Sequence, residues 1–450
     1  MSFRVTCPGP LTRRGLIKST LAASLGFTLG RNFIPAAWAA DDKKAAAAKG
    51  GADKKDDKPK TASGYVAAKG KAKNVILMWM GGGPSHLDTF DPKPGTPQSG
   101  GLGAIEACDG MQISEKFPML AKQGKNLCIL RGVTSREGDH GQASHLMHTG
   151  YREQSGVAFP SIGSIVCAEA KDGPQSELPS YVAINGGGGG PGFYGANYGP
   201  FSIGAGQAVP DLMPSGMSTK TVDERRELLK GLDSYYASLN SSPLAKEHWS
   251  TYERAIKLAR SPLTRLFEIK GDDMQKAEAY GKSGFARACY VSKQLISKGG
   301  VRFIEIDQGG WDMHANIDTS TTNMMGQIDQ PMGRLVEELA ADGLLESTLI
   351  IWAGEFGRTP DINAGKGRDH YPRCYNILMA GGGTKGGTVV GKSNASGHEP
   401  ADGKGIVVPD FYYSVCEAAG IDPTKIRESA DGRPIQVVDR GAKAVPGIFG

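Results

Sequence analysis

The sequence has 450 residues, of which 39% are hydrophobic and 22% are charged, a balance typical of a folded globular protein and not of a disordered or membrane-bundle chain. Its length predicts one large α/β domain with elaborations or two fused domains. The formal net charge is +5, but residues 1–40 carry five Arg or Lys and no acid, and residues 41–73 carry ten Lys and five Asp. Residues 74–450 therefore carry a net charge of −5, which argues against nucleic-acid binding.

The first 40 residues contain the ordered features of an export signal. Arg13 and Arg14 lie in Thr-Arg-Arg-Gly-Leu-Ile-Lys, and an apolar run at 21–34 and the sequence Ala-Trp-Ala-Ala at 37–40 follow. This order resembles a bacterial twin-arginine signal peptide at residues 1–39, although a short amphipathic helix is an alternative. The resemblance implies the twin-arginine export machinery as a partner and a periplasmic or secreted mature protein.

Residues 40–73 contain almost only Ala, Lys, Asp and Gly, which predicts a disordered linker before a folded domain at 74–450. No stretch after the signal has the 18 or so apolar residues of a membrane span, so we expect no transmembrane segment in the mature chain. The six Cys after residue 73 form no Cys-x-x-Cys pair, which argues against a zinc ribbon or a thioredoxin motif and leaves disulfide pairing open.

Short apolar runs alternate with helical patterns along the domain. This alternation predicts an α/β fold with a mainly parallel, doubly wound sheet and a helical subdomain inserted at about 221–298. The predicted strands are 74–80, 126–131, 180–184, 301–306, 348–352 and 375–379. The predicted helices are 114–124, 161–171, 221–240, 244–268, 273–298, 324–341 and 409–419.

Two glycine-rich segments are candidates for binding loops. Residues 186–206 combine Gly with Phe193, Tyr194 and Tyr198, which fits either an ordered surface loop or a lid that faces a substrate. Residues 386–393 match the P-loop pattern, but Thr-Val-Val lies inside the loop and no helix start follows. We therefore do not expect a nucleotide site there.

Polar residues follow the predicted strands at the points where parallel strands end, which is where α/β sheets bind ligands. Asp312 and His314, like His86 and Asp88, are two residues apart, so each pair can offer an oxygen and a nitrogen to one ion. Hydrogen-bonded couples that steady a loop are the alternative for each pair. The predicted metal ligands are His86, Asp88, Asp312, His314, Glu355, Asp369 and His370, and zinc, calcium or manganese is the predicted cofactor.

Several of these segments together resemble the bacterial DUF1501 family, which belongs to the alkaline-phosphatase and sulfatase superfamily. The matching stretches are Gly-Gly-Pro-Ser-His-Leu-Asp-Thr-Phe-Asp-Pro-Lys-Pro at 82–94, Gly-Gly-Trp-Asp-Met-His at 309–314, Gly-Glu-Phe-Gly-Arg-Thr-Pro at 354–360, Gly-Arg-Asp-His-Tyr-Pro at 367–372 and Ala-Gly-Gly-Gly-Thr-Lys-Gly-Gly at 380–387. The resemblance covers about 74–440 and implies a sheet of alkaline-phosphatase/sulfatase type.

The chain departs from the catalytic pattern of that superfamily. His140 lies where a sulfatase has its Cys nucleophile, and Glu355-Phe356 lies where an Asp-His or Asp-Asn pair is usual. The leading hypothesis is an exported metal-dependent hydrolase of sulfate or phosphate esters, with Arg358 or Arg368 as an anion clamp and a sulfated or phosphorylated small molecule or polysaccharide as substrate. A non-catalytic relative that binds an extracellular polymer or a partner protein is the alternative, and a phosphohistidine mechanism through His140 is a third hypothesis.

Overall fold

The structure is a computed structural model that describes residues 71–170, 176–212, 218–239 and 243–450. The predicted signal peptide and residues 40–70 of the predicted linker lie outside the described residues. Ala72 and Lys73, at the end of the predicted linker, donate backbone hydrogen bonds to Ala418 and Ser347. Packing of the domain therefore starts just before Asn74.

A nine-stranded sheet lies at the centre of the chain. The strands of the described residues are β1 (Asn74–Trp79), β2 (Ala104–Cys108), β3 (Met111–Ser114), β4 (Leu127–Thr134), β5 (Tyr181–Ile184), β6 (Phe201–Ile203), β7 (Phe303–Asp307), β8 (Thr348–Ala353), β9 (Gly357–Arg358), β10 (His370–Tyr371), β11 (Tyr375–Ala380), β12 (Thr388–Val390), β13 (Ile406–Val407), β14 (Ile426–Glu428) and β15 (Pro434–Gln436). The order in the central sheet is β12-β4-β11-β8-β1-β7-β5-β6, with β13 beside β4.

All strand pairs of this sheet are parallel except those of β11, which runs antiparallel to β4 and β8. The sheet is therefore mainly parallel, as predicted, and each of the six predicted strands is present. Every residue of β1 is buried, because its side chains alternate between two hydrophobic cores, with Ile76 and Met78 in one and Val75 and Leu77 in the other. A strand that is covered on both faces has this continuous apolar sequence.

Helices cover both faces of the sheet. They are α1 (Pro118–Ala121), α2 (His140–Thr149), α3 (Ile162–Glu169), α4 (Thr219–Leu239), α5 (Pro243–Arg260), α6 (Asp272–Glu278), α7 (Gly284–Gln294), α8 (Ile317–Ala341) and α9 (Val408–Ala418). Helices α2, α3 and α9 contribute to the core that contains Val75, whereas α7 and α8 contribute to the core that contains Ile76. The doubly wound arrangement is therefore observed, and α4 to α7 form the helical segment between β6 and β7.

Several helices differ from the predictions, and the helix predicted at 244–268 ends at Arg260. The helix predicted at 114–124 is reduced to α1, because Pro118 lies at its first position and a 3-10 helix begins at Gly124. The helix predicted at 273–298 is divided into α6 and α7, and Gly281 between them has a φ of 118°, which side-chain-bearing residues rarely adopt. Helix α2 was not predicted, although Asp139 caps it by accepting hydrogen bonds from Gly141 and Gln142, an N-cap role that is common for Asp.

The sequence argued against a nucleotide-binding P-loop and against a membrane span, and the structure bears on both for the described residues. The P-loop-like segment contains β12 and enters no helix, so it lacks the geometry of a phosphate loop. Among the described residues, no helix is both long enough and apolar enough to cross a membrane. The six Cys there are not joined in disulfides.

Candidate metal centre

A cluster of histidines and carboxylates lies at one edge of the central sheet. Strands β1, β4, β7 and β8 end at this edge, and the antiparallel β11 begins there. The segments at these ends bring together seven of the predicted site residues, which are His140, Asp312, His314, Glu355, Arg358, Asp369 and His370. The structure therefore gathers at one edge of the sheet residues that the sequence expected to meet there.

Asp312 lies at the middle of the cluster. Its Oδ1 accepts a hydrogen bond from Arg358 Nη2 at 2.5 Å. Burial alone would raise the pKa of Asp312, but the hydrogen bond and positive charge of Arg358 lower it to about 2. The Asp312 carboxylate is therefore charged at neutral pH and can attract a cation.

His314 directs its Nε2 lone pair toward Asp312. Its Nδ1 lies 2.9 Å from Asp369 Oδ1, and Asn363 Nδ2 donates to the same oxygen at 3.1 Å. Arg358 Nη1 lies 3.3 Å from His314 Nε2, and because arginine can only donate, this nitrogen must accept. His314 Nδ1 therefore carries the proton, and His314 Nε2, 3.0 Å from Asp312 Oδ1, carries a lone pair.

His370 has the same arrangement. Its Nδ1 lies 2.9 Å from the carbonyl oxygen of Gly138, so this nitrogen donates. Its Nε2 lies 3.2 Å from Asp312 Oδ1 and 3.1 Å from His314 Nε2. Two nitrogen lone pairs and a carboxylate oxygen that face one another repel unless a cation lies among them. Arg358 offsets part of this repulsion through its contacts with Asp312 and His314, and a shared proton or a metal ion would offset the rest.

His140 approaches the same point from α2. Its Nδ1 lies 2.6 Å from Glu355 Oε1, which also accepts the backbone N–H of Gly82 at 2.9 Å. Its Nε2 lies 3.4 Å from Asp312 Oδ1 and is a buried nitrogen without a hydrogen-bond partner. A buried polar atom without a partner is costly, and a bound ion removes this cost.

These donors fit a metal site. Ligand atoms of His140, Asp312 and His370 all lie within 4.8 Å of one another. Tetrahedral zinc with bonds of about 2.1 Å has ligand atoms about 3.4 Å apart, and the distances from Asp312 Oδ1 to the three imidazole Nε2 atoms are 3.0, 3.2 and 3.4 Å. The Nδ1 partners Glu355, Asp369 and Gly138 supply the second shell that orients metal-binding histidines.

The centre is open to solvent. The side chains of His140, Asp312, His314 and His370 are 37%, 47%, 46% and 26% exposed. An accessible cluster differs from the buried, closed cluster that would favour a purely structural role. A ligand from solution can therefore reach the side chains of Asp312, His314 and His370, whereas the Nε2 atom of His140 is buried.

Two predicted ligands make their contacts elsewhere. His86 is buried, and its Nε2 lies 2.8 Å from the carbonyl oxygen of Gly397; burial lowers the pKa of this side chain. Asp88 is also buried, and its two carboxylate oxygens accept from Arg368 Nε at 2.8 Å and Arg368 Nη2 at 3.0 Å. The structure therefore does not join His86 and Asp88 to the cluster.

The two arginines that were predicted to clamp an anion are fully buried. Arg368 also donates to the carbonyl oxygens of Thr359, Pro360 and Gln98. Arg358 donates to Gly82, Gly83 and Arg368 carbonyl oxygens as well as to Asp312. Because these guanidinium groups already have protein acceptors, the structure does not offer Arg358 or Arg368 as a clamp for a substrate anion.

A second histidine–carboxylate network lies under α2 and was not predicted. His148 Nε2 lies 3.0 Å from Glu305 Oε1, and Tyr181 donates to Glu305 Oε2 at 2.5 Å. His148 Nδ1 lies 2.8 Å from the Ser144 carbonyl oxygen, so both ring nitrogens face acceptors. The available signal was an acid inside an otherwise apolar strand, since Glu305 interrupts the predicted strand at 301–306. Asn363, which donates to Asp369 and to the His314 carbonyl oxygen, was also not predicted.

The fold and the cluster define an α/β protein with a histidine- and aspartate-lined centre at the strand ends. The chain belongs to the family described as "Protein of unknown function (DUF1501)", which it matches over residues 72–449. A search of curated proteins found no match.

Solved structures with a similar fold share little sequence with this chain. The lipoteichoic acid synthase LtaP from Listeria monocytogenes has 8% identity and a TM-score of 0.38, over 82% of this chain and 76% of that one. The alkaline phosphatase from the Antarctic bacterium TAB5 has 13% identity and a TM-score of 0.35, over 78% and 99%. The PsFucS1 sulfatase from Pseudoalteromonas sp. has 15% identity and a TM-score of 0.33, over 77% and 68%. Similarity at this level does not identify an activity.

Proposed function

We propose that the protein is a metal-dependent hydrolase of sulfate or phosphate esters. The observation that supports this proposal is the convergence of three imidazole Nε2 atoms on one carboxylate oxygen of Asp312. The opposite ring nitrogens of His140, His314 and His370 each face a protein acceptor. Such an arrangement suits a cation, and the solvent-facing side of the cluster lets a substrate become a further ligand, as when a catalytic zinc ion expands to five ligands.

The donor set narrows the metals predicted from the sequence. Imidazole nitrogens with one carboxylate suit zinc and, less tightly, manganese. Calcium prefers six to eight oxygen ligands, so it fits this set poorly. A bound zinc or manganese ion would polarise the ester oxygens and favour attack by water.

The residues of the chain have separate tasks in this proposal. His140, Asp312, His314 and His370 hold the ion, so His140 serves as a ligand and not as a nucleophile. Glu355 and Asp369 fix the tautomers of His140 and His314. Arg358 keeps Asp312 charged and in place from the protein interior, where it does not touch the substrate.

The alternative, a non-catalytic binding protein, requires a centre that only stabilises the fold. The exposure of the four donors favours the hydrolase, because a structural centre gains nothing from an open side. The two possibilities give different results when metal content and hydrolysis are measured together.

The test uses metal analysis and ester hydrolysis with a matched control. Wild-type protein, His140→Ala, Asp312→Asn and the control His398→Gln are dialysed with zinc or manganese and then analysed for bound metal. His398 makes an ordinary exposed pair with Asp361 at 3.0 Å, outside the cluster. We expect stoichiometric metal and hydrolysis of p-nitrophenyl sulfate or phosphate in the wild type and the control, and loss of both in the other two variants.

Two results would count against the proposal. Absence of stoichiometric metal from the wild type would remove the metal centre. Stoichiometric metal without hydrolysis of either ester would favour the binding protein.

Export through the twin-arginine pathway is a further part of the proposal, and it rests on the sequence at 12–40. Replacement of both arginines, Arg13→Lys with Arg14→Lys, should keep the protein in the cytoplasm because the paired guanidinium groups are the recognised feature of such signals. Fractionation of cells that express the two forms measures this effect. Equal periplasmic yield of both forms would exclude the twin-arginine pathway.

A further inference from the structure

A large cavity lies beside the metal centre and shares α2 with it. Its volume is about 1270 Å³, and its lining includes residues on both sides of His140 in the sequence, Glu137 and Gln142. Gly138, between them, holds His370 through its carbonyl oxygen. Gln142 lies only about 3 Å along the helix axis from His140, since an α-helix rises about 1.5 Å per residue. The cavity and the metal centre are therefore neighbours along α2, and the side chains of His140 and Gln142 leave the helix in different directions.

The size of the cavity exceeds the needs of a small ester. Pockets for drug-sized ligands have volumes of about 300–1,000 Å³, and an inorganic anion or a small alcohol would fill little of this one. The depth of the cavity comes from the glycine loop, because a side chain at Gly189 would collide with Ser161 and approach His148. The loop predicted as a surface loop or a lid thus forms one wall.

The charges around the cavity are balanced in pairs. Arg152 lies 2.5 Å from Glu137, and His148 on the cavity floor lies 3.0 Å from Glu305. The other acid of the lining, Glu153, adds a negative charge at the rim. No lining cation is therefore left to bind a polyanion such as a nucleic acid, which needs several Lys or Arg.

The remaining lining combines neutral hydrogen-bonding groups with apolar surface. Side chains that both donate and accept lie along α2 and the segment after it, and they include Gln142, Ser144, Gln154 and Ser155. Apolar side chains are few, with Val157 and Phe159 the largest, so a lipid chain would gain little there. Amides and hydroxyls beside apolar surface suit a ligand that carries hydroxyl groups on a carbon ring.

We propose that this cavity binds a neutral, polyhydroxylated chain, such as an oligosaccharide of a few units, as the alcohol part of the ester that the metal centre hydrolyses. The part of the inference that concerns ester hydrolysis rests on the proposed function. Binding of the chain itself needs only the cavity. The two parts can therefore be tested separately.

The first experiment measures binding by metal-free, full-length protein, using calorimetry with cellotetraose, mannotetraose, xylotetraose and a neutral galactotetraose. Ser155→Trp places a large side chain at the exposed rim of the cavity, and Gln142→Ala removes a hydrogen-bonding group next to the metal centre. Lys230→Trp adds the same large side chain on α4, which does not line the cavity. We expect at least one tetrasaccharide to bind the wild type and Lys230→Trp equally, and to bind Ser155→Trp at least tenfold more weakly.

The second experiment compares large and small substrates with zinc-loaded protein. Ser155→Trp should raise KM for sulfated or phosphorylated oligosaccharides about tenfold and leave KM for the p-nitrophenyl esters unchanged, because the small esters do not occupy the cavity.

The proposal is overturned if no neutral tetrasaccharide binds, if only charged probes bind, or if Ser155→Trp binds as well as Lys230→Trp. If binding follows the proposal but no ester is hydrolysed, the cavity assignment stands and the hydrolase proposal fails. If p-nitrophenyl esters are hydrolysed and no oligosaccharide binds, the hydrolase proposal stands and the cavity assignment fails.

Discussion

The protein contains two histidine–carboxylate groups that are similar in composition and different in geometry. In the metal centre, the Nε2 atoms of three histidines crowd one oxygen of Asp312. Under α2, His148 has an acceptor at each ring nitrogen, and Glu305 accepts from His148, Tyr181 and the backbone N–H of Gly189. In the first group the buried Nε2 of His140 has no hydrogen-bond partner, whereas in the second group both ring nitrogens of His148 have one.

This difference separates a ligand site from a structural ion pair. A complete buried pair needs no ion and holds α2 against β7, which carries the loop to Asp312. An incomplete and exposed group gains only when a cation arrives. Residue type alone does not make this distinction, but the direction of each ring nitrogen does.

The largest expected effect comes from breaking the complete pair. His148→Leu leaves the Glu305 carboxylate buried without its cation, and we expect the free energy of unfolding at pH 6 to fall by about 3–5 kcal/mol. Denaturant unfolding of the metal-free wild type and variant measures this difference in the free energy of unfolding. The double variant His148→Leu/Glu305→Leu should recover much of the loss, because no buried charge is left. A loss below about 1 kcal/mol in the single variant would show that the pair is not a structural element.

The metal centre should respond in the opposite way. His314→Ala removes one donor, and we expect metal affinity to fall by about 100-fold while the stability of the metal-free protein changes by less than about 1 kcal/mol, because the group is exposed. Metal titration and unfolding of the same samples give both values. Unchanged metal affinity with a large loss of stability would place His314 with the structural group.

A smaller effect is expected at Asp369, which contacts the ligand His314 and not the ion itself. Asp369→Asn keeps the shape of the side chain but weakens its hold on the His314 Nδ1–H, and metal affinity should fall about tenfold. Asp361→Asn, which alters the exposed pair with His398, is the matched control and should leave affinity unchanged. Equal affinity in the two variants would mean that Asp369 does not orient His314.

The smallest expected effect is the pH dependence of the buried pair. Burial opposes the charge on His148, but Glu305 raises the pKa of His148; burial likewise opposes the charge on Glu305, but His148 lowers the pKa of Glu305. Stabilisation from His148 is full below its unfolded pKa of about 6.5 and is lost as pH rises through the raised value. Stabilisation from Glu305 is full above about 4.3 and is lost as pH falls through the lowered value.

The difference in unfolding free energy between the wild type and the double variant should therefore be greatest at about pH 5–6. Asp307 and Glu355 also act on His148, and both carboxylates are present in the two proteins, so the difference isolates the pair. A difference that does not change between pH 4 and 8 would contradict this assignment.

The strands and most of the cluster could be predicted because their signals are local. A run such as 348–352 is apolar throughout, and Glu355 follows its end, so the strand-end rule places it. The division of the helix at Gly281 depends on one backbone conformation, which a helical pattern of side chains does not reveal. The helix predicted at 114–124 begins only at Pro118, because proline suits the first position of a helix and disfavours helical backbone in the residue before it.

The partners of the charged residues could not be predicted. Asp88 and Arg368 are 280 positions apart, and nothing near either residue shows that they neutralise each other in the interior. The same holds for Arg358, which reaches Asp312 over 46 positions. The sequence predicted both arginines as clamps for an external anion, because it does not show which oxygen atoms of the folded protein accept their hydrogen bonds.

The distances in sequence across the metal centre also affect how the protein folds. His370 meets Gly138 across 232 positions, and Glu355 meets Gly82 across 273, so the centre is complete only after β1, β4, β7, β8 and β11 have assembled. Contacts between such remote segments form late and slow the folding of a chain. A cation can bind there only after the strands have assembled, so it stabilises the native state and not the transition state of folding. It would therefore leave the rate of folding nearly unchanged and lower the rate of unfolding.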